Sequence, residues 1–172
     1  MTHPLTLPTG IWQIDNDATA ITVSVKKLGL ITVPATLAVS SGTIEIDDDH
    51  QVSNVEILAD ASSYVSKNAK RDEHVHGADF LDVSQHPAIS FHAATVADGT
   101  GGYRATGAIT IKGQSSPIDV AIADVTVDGA HASFTATATV DRKAAGVDKM
   151  PTFIIGRDLE LVVSASATKR AA

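Results

Sequence analysis

The residues able to do chemistry crowd into one stretch, Arg71–Phe91, which reads RDEHVHGADFLDVSQHPAISF. His74, His76 and His86 lie in it, and His92 follows directly. Imidazoles titrate near neutral pH and are the commonest metal ligands, so these four are the candidates for a metal site or a small acid–base enzyme. The surrounding pattern predicts a short helical segment near residues 69–82, ended by His86-Pro87. On a helix, positions i and i+2 point roughly 200° apart, so His74 and His76 cannot chelate one ion from one face. On a strand they could. The simpler assignment is histidines exposed or hydrogen-bonded at a helix end, with Asp72, Glu73 and Asp79 as capping and surface charges.

Other candidate motifs are weaker. Asp47-Asp48-Asp49-His50 lacks the spaced oxygens and closing glutamate of a calcium loop and suits a solvated turn. The glycines at 99, 101 and 102 are followed by no Gly-Lys-Ser/Thr and no helix, so they do not make a phosphate cradle. Ser115 and Ser116 have no nucleophile motif around them. No constellation demands an enzyme, and no catalytic residue or metal ligand is assigned.

The chain has 172 residues, enough for one domain over 1–172 with a substantial core. A formal charge of −7 argues against nucleic-acid binding and against general attraction to anionic membranes. Cysteine is absent, which removes disulfides and thiol chemistry. No apolar run approaches the ~20 residues of a membrane-spanning helix. The first residues, MTHPLTLPTG, have neither the basic nor the apolar region of a secretory leader, so a cytoplasmic location is the expectation.

Elsewhere the chain alternates apolar and polar residues, the period of a half-buried strand. Ile21, Val23 and Val25 share one face, as do Ile31, Val33, Ala35, Leu37 and Val39. Pro34 within that second run points to an edge or bulge. Ser41-Gly42 is read as a turn into a separate strand, Thr43–Asp47. Val55, Ile57 and Ala59 follow, then Ile89, Phe91 and Ala93. A hairpin loop is expected over 98–102 and another turn over 113–117. The apolar phase shifts between Ile122 and Val125, which predicts a bulge near Ala123. Ala132 to Val140 and Leu159 to Ala167 complete the series, with a loop from Arg142 to Phe153 between them. Eight or nine long, hairpin-joined strands favour an all-β fold, an eight-stranded antiparallel up-and-down barrel.

Such a barrel is either filled by bulky side chains or open to one small ligand. The inward faces carry short rows, Ala105 and Gly107, Ala136 and Ala138, Ala165 and Ala167. These imply close backbone approach or a cavity. A cavity lined by these faces would be apolar and would take a hydrophobic ligand. The expected contacts are Val23, Val25, Leu37, Ile57, Phe91, Ile109, Phe134, Ala136, Leu161 and Val163. No cofactor is expected beyond a hydrophobic ligand, and a homodimer is left open. The competing expectations are the histidine-based enzyme or metal site, and a packed stress-related barrel without a ligand.

Several motifs together resemble the YceI-like family of lipocalin-like, polyisoprenoid- and lipid-binding barrels. They are Arg71-Asp72-x-His74, Asp79-Phe80-Leu81-Asp82-Val83 and Pro87-x-Ile89-x-Phe91, with Trp12-x-Ile14-Asp15 before them. Gly107-x-Ile109-Thr110-Ile111-x-Gly113, Arg142 and Gly146 come after. The resemblance covers Trp12 to about Val163 and implies an elongated apolar pocket holding an isoprenoid or fatty-acyl chain. This chain departs from the family pattern in having Ala18-Thr19 for a usual His-Ser and Val23 for an inward aromatic. Lys27 stands where a histidine is common, and Ala35 and Leu37 stand where Gly and Phe are frequent. The departures remove aromatic surface that would stack on a quinone-like head group, and they leave the aliphatic pocket. Helix residues Phe80, Leu81 and Val83 are expected to close one barrel end as a plug or lid, anchored by Arg71 and Asp72.

Overall fold

The computed structural model describes residues 8–78, 80–99, 102–147 and 156–170. Its strands are β1 (Gly10–Ile14), β2 (Ala20–Lys27), β3 (Ile31–Ile46), β4 (Val52–Val65), β5 (Ala88–Gly99) and β6 (Gly102–Ile111). β7 (Gln114–Asp128), β8 (His131–Asp141) and β9 (Asp158–Lys169) complete the sheet, and one helix, α1 (Ala69–His76), lies between β4 and β5.

From β2 to β9 every strand pairs antiparallel with its neighbour in sequence, and β9 closes on β2. This is the expected closed eight-stranded antiparallel barrel. Closure leaves no long sheet edge exposed to other chains. The ninth strand, β1, does not add a place. It pairs with the far part of β3 and with the end of β9, while β2 pairs with the near part of both. β1 and β2 therefore share one position in the barrel, interrupted by a 3-10 turn at Asn16–Ala18.

Three local expectations change. Ser41-Gly42 is not a turn: β3 runs unbroken through it, with a register irregularity between Val39 and Ser41. Gly42 is required there by close approach, since a Cβ would lie 2.7 Å from Ile14 Cγ1. The turn expected over 113–117 contracts to Lys112-Gly113, both with positive φ, and Ser115, Ser116 and Pro117 are already in β7. The helix ends at His76, and the described residues beyond Gly77 include turns, with Leu81 N–H bonding Val75 O and His86 N–H bonding Asp82 O. Asp79 of the expected helix lies outside the described residues, as do Thr100 and Gly101 of the hairpin loop and 148–155 of the loop before β9.

The bulge appears where the apolar phase shifts: pairing of β7 with β8 skips between Ala123 and Thr126, and Asp124 has φ +56°. Pro34 pairs with Ser24 of β2, but β4 reaches β3 only from Thr36 onward. Proline therefore falls where β3 has a partner on one side only.

Buried core side chains gather toward both ends of the barrel. Trp12, Ile14, Ile21, Val39, Ile46, Ala59 and Ala167 form one buried cluster. A second, around Ile109, Ile111, Ile118, Val140, Ala145 and Val147, lies beneath Phe80 and Leu81. The strand directions put α1 and the 142–147 turn at one end of the barrel, and the Asp47–Gln51 and Asp128–His131 turns at the other.

Candidate functional site: an apolar cavity within the barrel

Period-2 alternation sends one side chain in two toward the barrel axis. Large residues on these inward faces stay half-buried: Val23, Val25, Leu37, Ile57, Phe91, Phe134, Leu161 and Val163 all keep accessible surface although the sheet is closed around them. The surface they keep faces an interior cavity of about 640 Å³. All of these residues, together with the more buried Ile109 and Ala136, line that cavity. The alanine rows behave differently. Ala105 is 1% exposed and Ala165 4%, their short side chains bordering the cavity with little surface of their own. At Gly107 the strands approach so closely that a Cβ would collide with His92 O. The small residues thus mark close approach in some rows, and the open volume lies between rows of Val, Leu, Ile and Phe.

One end of the cavity is sealed by the core. Trp12 is 4% exposed and its indole N–H donates to Pro8 O at 3.0 Å, the partner a buried indole needs. Ile14 and Ile46 pack around it.

The helix end is built differently. Asn68 caps α1, its Oδ1 accepting from Arg71 N–H at 3.0 Å. Asp72 Oδ1 accepts from Ser66 N–H and from the Ser66 hydroxyl, tying the first turn to the end of β4. Arg71 Nη1 donates to the same hydroxyl at 3.4 Å. From the last turn, His76 Nε2 donates to Tyr64 O at 2.9 Å. These bonds hold Tyr64, Asn68, Lys70, Arg71 and His74 on the cavity wall, beside Phe80 and Leu81. Burial raises the Tyr64 phenol above its usual 10.0, nearby Asp72 raises it further, and Arg71 opposes them. The cavity is therefore apolar along the barrel and polar where the helix meets it.

Arg142 completes this end from the other side. It is 1% exposed, with Nε donating to Gly156 O and Nη1 to Val147 O, each at 2.9 Å. A buried guanidinium is tolerated because carbonyl oxygens accept hydrogen bonds from its N–H groups. Gly146, at φ +87°, lets the 142–147 turn fold back against Gln114.

The structure places the four histidines in different settings. His92 bonds Asn54 Oδ1 at an exposed position on β5, His86 lies against Gly113, and His74 meets the edge of Phe80. Among the described residues no three His, Cys, Asp or Glu side chains are grouped as a metal would require. No helix among them is long and apolar enough to cross a membrane. The alternation pattern missed the polar wall. Tyr64 falls out of phase with Val55, Ile57 and Ala59, and only Arg71 and Asp72, expected to anchor the helix, pointed to that end.

The profile of the YceI-like domain matches residues 12–167. Similar bacterial proteins include a UPF0312 protein of Vibrio campbellii, 29% identical over 103 residues, which is 59% of this chain and 54% of that one. Another, from Pseudomonas aeruginosa, is 25% identical over 135 residues, 75% of this chain and 70% of its own. The chain thus spans about half the length of the Vibrio relative. Among solved structures, BcnA of Burkholderia cenocepacia superposes with a TM-score of 0.78 at 20% identity, over 90% of this chain and 99% of that one. A polyisoprenoid-binding domain from Saccharophagus degradans gives 0.66 at 6% identity, over 92% and 98%. At these identities the superpositions speak for a common barrel. The domain profile speaks for descent, and on it the chain belongs to the family of YceI-like domains.

Proposed function

We propose that this protein binds an isoprenoid or other long-chain amphiphilic lipid inside the barrel and serves to store, carry or protect it, without catalysing a reaction. The observation that carries this is the cavity: about 640 Å³ of open space walled by aliphatic side chains from every barrel strand. That volume is within the range of small-molecule sites, roughly 300–1,000 Å³. Each methylene moved from water into it contributes about 0.8 kcal/mol gross, and ordering the chain offsets part of that. A hydrocarbon tail therefore needs no polar contact along its length. The polar wall at Tyr64, Asn68, Lys70 and Arg71 suits the head of an amphiphile, with the tail running toward Trp12. The Saccharophagus domain of the same fold, which binds a polyisoprenoid, is in keeping with this ligand class.

Extraction of natively purified protein with organic solvent, followed by mass spectrometry, tests the proposal. A long-chain lipid in near-stoichiometric amount is the expected result. Protein that is free of lipid as isolated, and that fails to take up isoprenoid or fatty-acyl probes after delipidation, would sink it.

A further inference from the structure

The whole-chain charge of −7 averages over a separation along the barrel. The end away from the helix carries Asp15, Asp17, Asp47, Asp48, Asp49 and Asp128, against Lys169 and Arg170. At the cavity mouth, between the β2–β3 hairpin and the start of α1, stand Lys26, Lys27, Lys67, Lys70 and Arg71. Lys27, Lys70 and Arg71 line the cavity itself, which locates this cluster at its rim. The nearby acids are Asp72, occupied by Ser66, the exposed Glu73, and the exposed Asp158 and Glu160 at the start of β9, which runs beside β2 with Glu160 opposite Ser24.

Among the described residues, the same rim carries most of the exposed large apolar side chains. Leu30 is 87% exposed, Leu28 55%, Ile31 54% and Val65 49%. Leu28 and Gly29 are the central residues of the hairpin turn, with φ of +54° and +73°, closed by Leu30 N–H to Lys27 O at 3.2 Å. Such a turn favours Asn or Asp at its first central position, so a leucine there serves neither the backbone nor the core. Beside it β3 outruns β4, whose pairing starts only at Thr36 with Val65.

An apolar tip ringed by lysines is the arrangement of proteins that lie against anionic lipid, with apolar groups among the acyl chains and cations at the head groups. We propose that this rim docks on an anionic lipid surface through Leu28 and Leu30, flanked by Lys26 and Lys67, turning the mouth of the cavity toward the bilayer. A ligand would then pass between membrane and barrel without crossing bulk water. That purpose rests on the lipid-binding function proposed above; the docking itself does not.

Co-sedimentation with vesicles of phosphatidylcholine alone, and of phosphatidylcholine mixed with phosphatidylglycerol, tests the docking. Wild type is expected to bind the mixed vesicles preferentially, and added salt should weaken the binding. Leu28→Asp/Leu30→Asp should lower it at least about tenfold, and Lys26→Glu/Lys67→Glu should abolish the preference for anionic lipid, at about fivefold or more per lysine. Both pairs are exposed and outside the cavity wall, so uptake of a fluorescent fatty acid from vesicle-free solution should equal that of wild type. No binding by wild type to mixed vesicles, or binding unchanged in both variants, overturns the docking. Wild type that binds vesicles but takes up no probe from solution overturns the cavity function and leaves docking standing.

Discussion

At the scale of single residues, the interior separates into positions that hold the barrel and positions that border its open volume. Ala136 is the sharpest of the second kind, a small residue on β8 facing the cavity between Ile122 and Val163 on its two neighbours. Ala136→Trp should fill part of the lumen and lower occupancy by a fatty-acyl probe at least tenfold, with a circular-dichroism spectrum like that of wild type. Unchanged occupancy would remove Ala136 from the pocket. Arg142 is of the first kind. Arg142→Met keeps much of the volume but strips donors from Gly156 O and Val147 O. At roughly 1.5–3 kcal/mol for each bond to a charged group, a loss of about 3 kcal/mol or more is expected from the urea midpoint. Tyr64 sets a pH dependence. Because the folded protein favours its neutral phenol, its contribution is fully present below about pH 10 and is lost as pH rises through the raised value. Wild type should therefore lose stability with rising alkalinity faster than Tyr64→Phe, measured by denaturant titrations on either side of pH 10. Parallel profiles would show that Tyr64 is not the group responsible.

At the scale of elements, the segment after α1 acts as a seal more than a helix. Phe80 and Leu81 pack onto the cluster around Ile109 and Val140, and both border the cavity. Leu81→Ser should cost about 2 kcal/mol by lost burial and speed release of a bound fatty-acyl probe in a stopped-flow experiment. A slower or unchanged release rate would deny it a sealing role. The periodicity marked this segment as the break between strands and gave Phe80 and Leu81 an inward side. It extended the helix too far because turn-forming residues such as Gly77 and Asp82, at φ +49°, still allow helix-like spacing. The same limit explains Ser41-Gly42. Glycine is a turn signal only in local terms, whereas here it answers to Ile14, a residue distant in sequence. Local pattern recovers which way side chains face and loses the contacts that bend a strand without ending it.

At the scale of the molecule, the meander and its inward faces were legible because a closed sheet repeats one simple rule, alternation, over most of the chain. The bulge near Ala123 was legible for the same reason, as a break in that rule. What alternation cannot reveal is how the barrel is apportioned lengthwise: a sealed end around Trp12, an apolar middle and a polar, lysine-rimmed mouth. That gradient depends on register, which brings Trp12 of β1 opposite Lys169 of β9 and Thr36 of β3 opposite Val65 of β4.

The division of one barrel position between β1 and β2 has a spectroscopic consequence. β2 is bound to β3 through seven residue pairs and to β9 through five, whereas β1 has four and three. The shorter half can detach while the longer half keeps the barrel closed, as a separately cooperative unit of the kind native-state exchange detects. It carries the chain's single tryptophan. Indole emission should therefore shift to the red at lower guanidinium concentration than the loss of the far-ultraviolet strand signal. Amides of β1 should also exchange with deuterium ahead of those in β2. Coincident transitions would mean instead that the two halves melt as one strand.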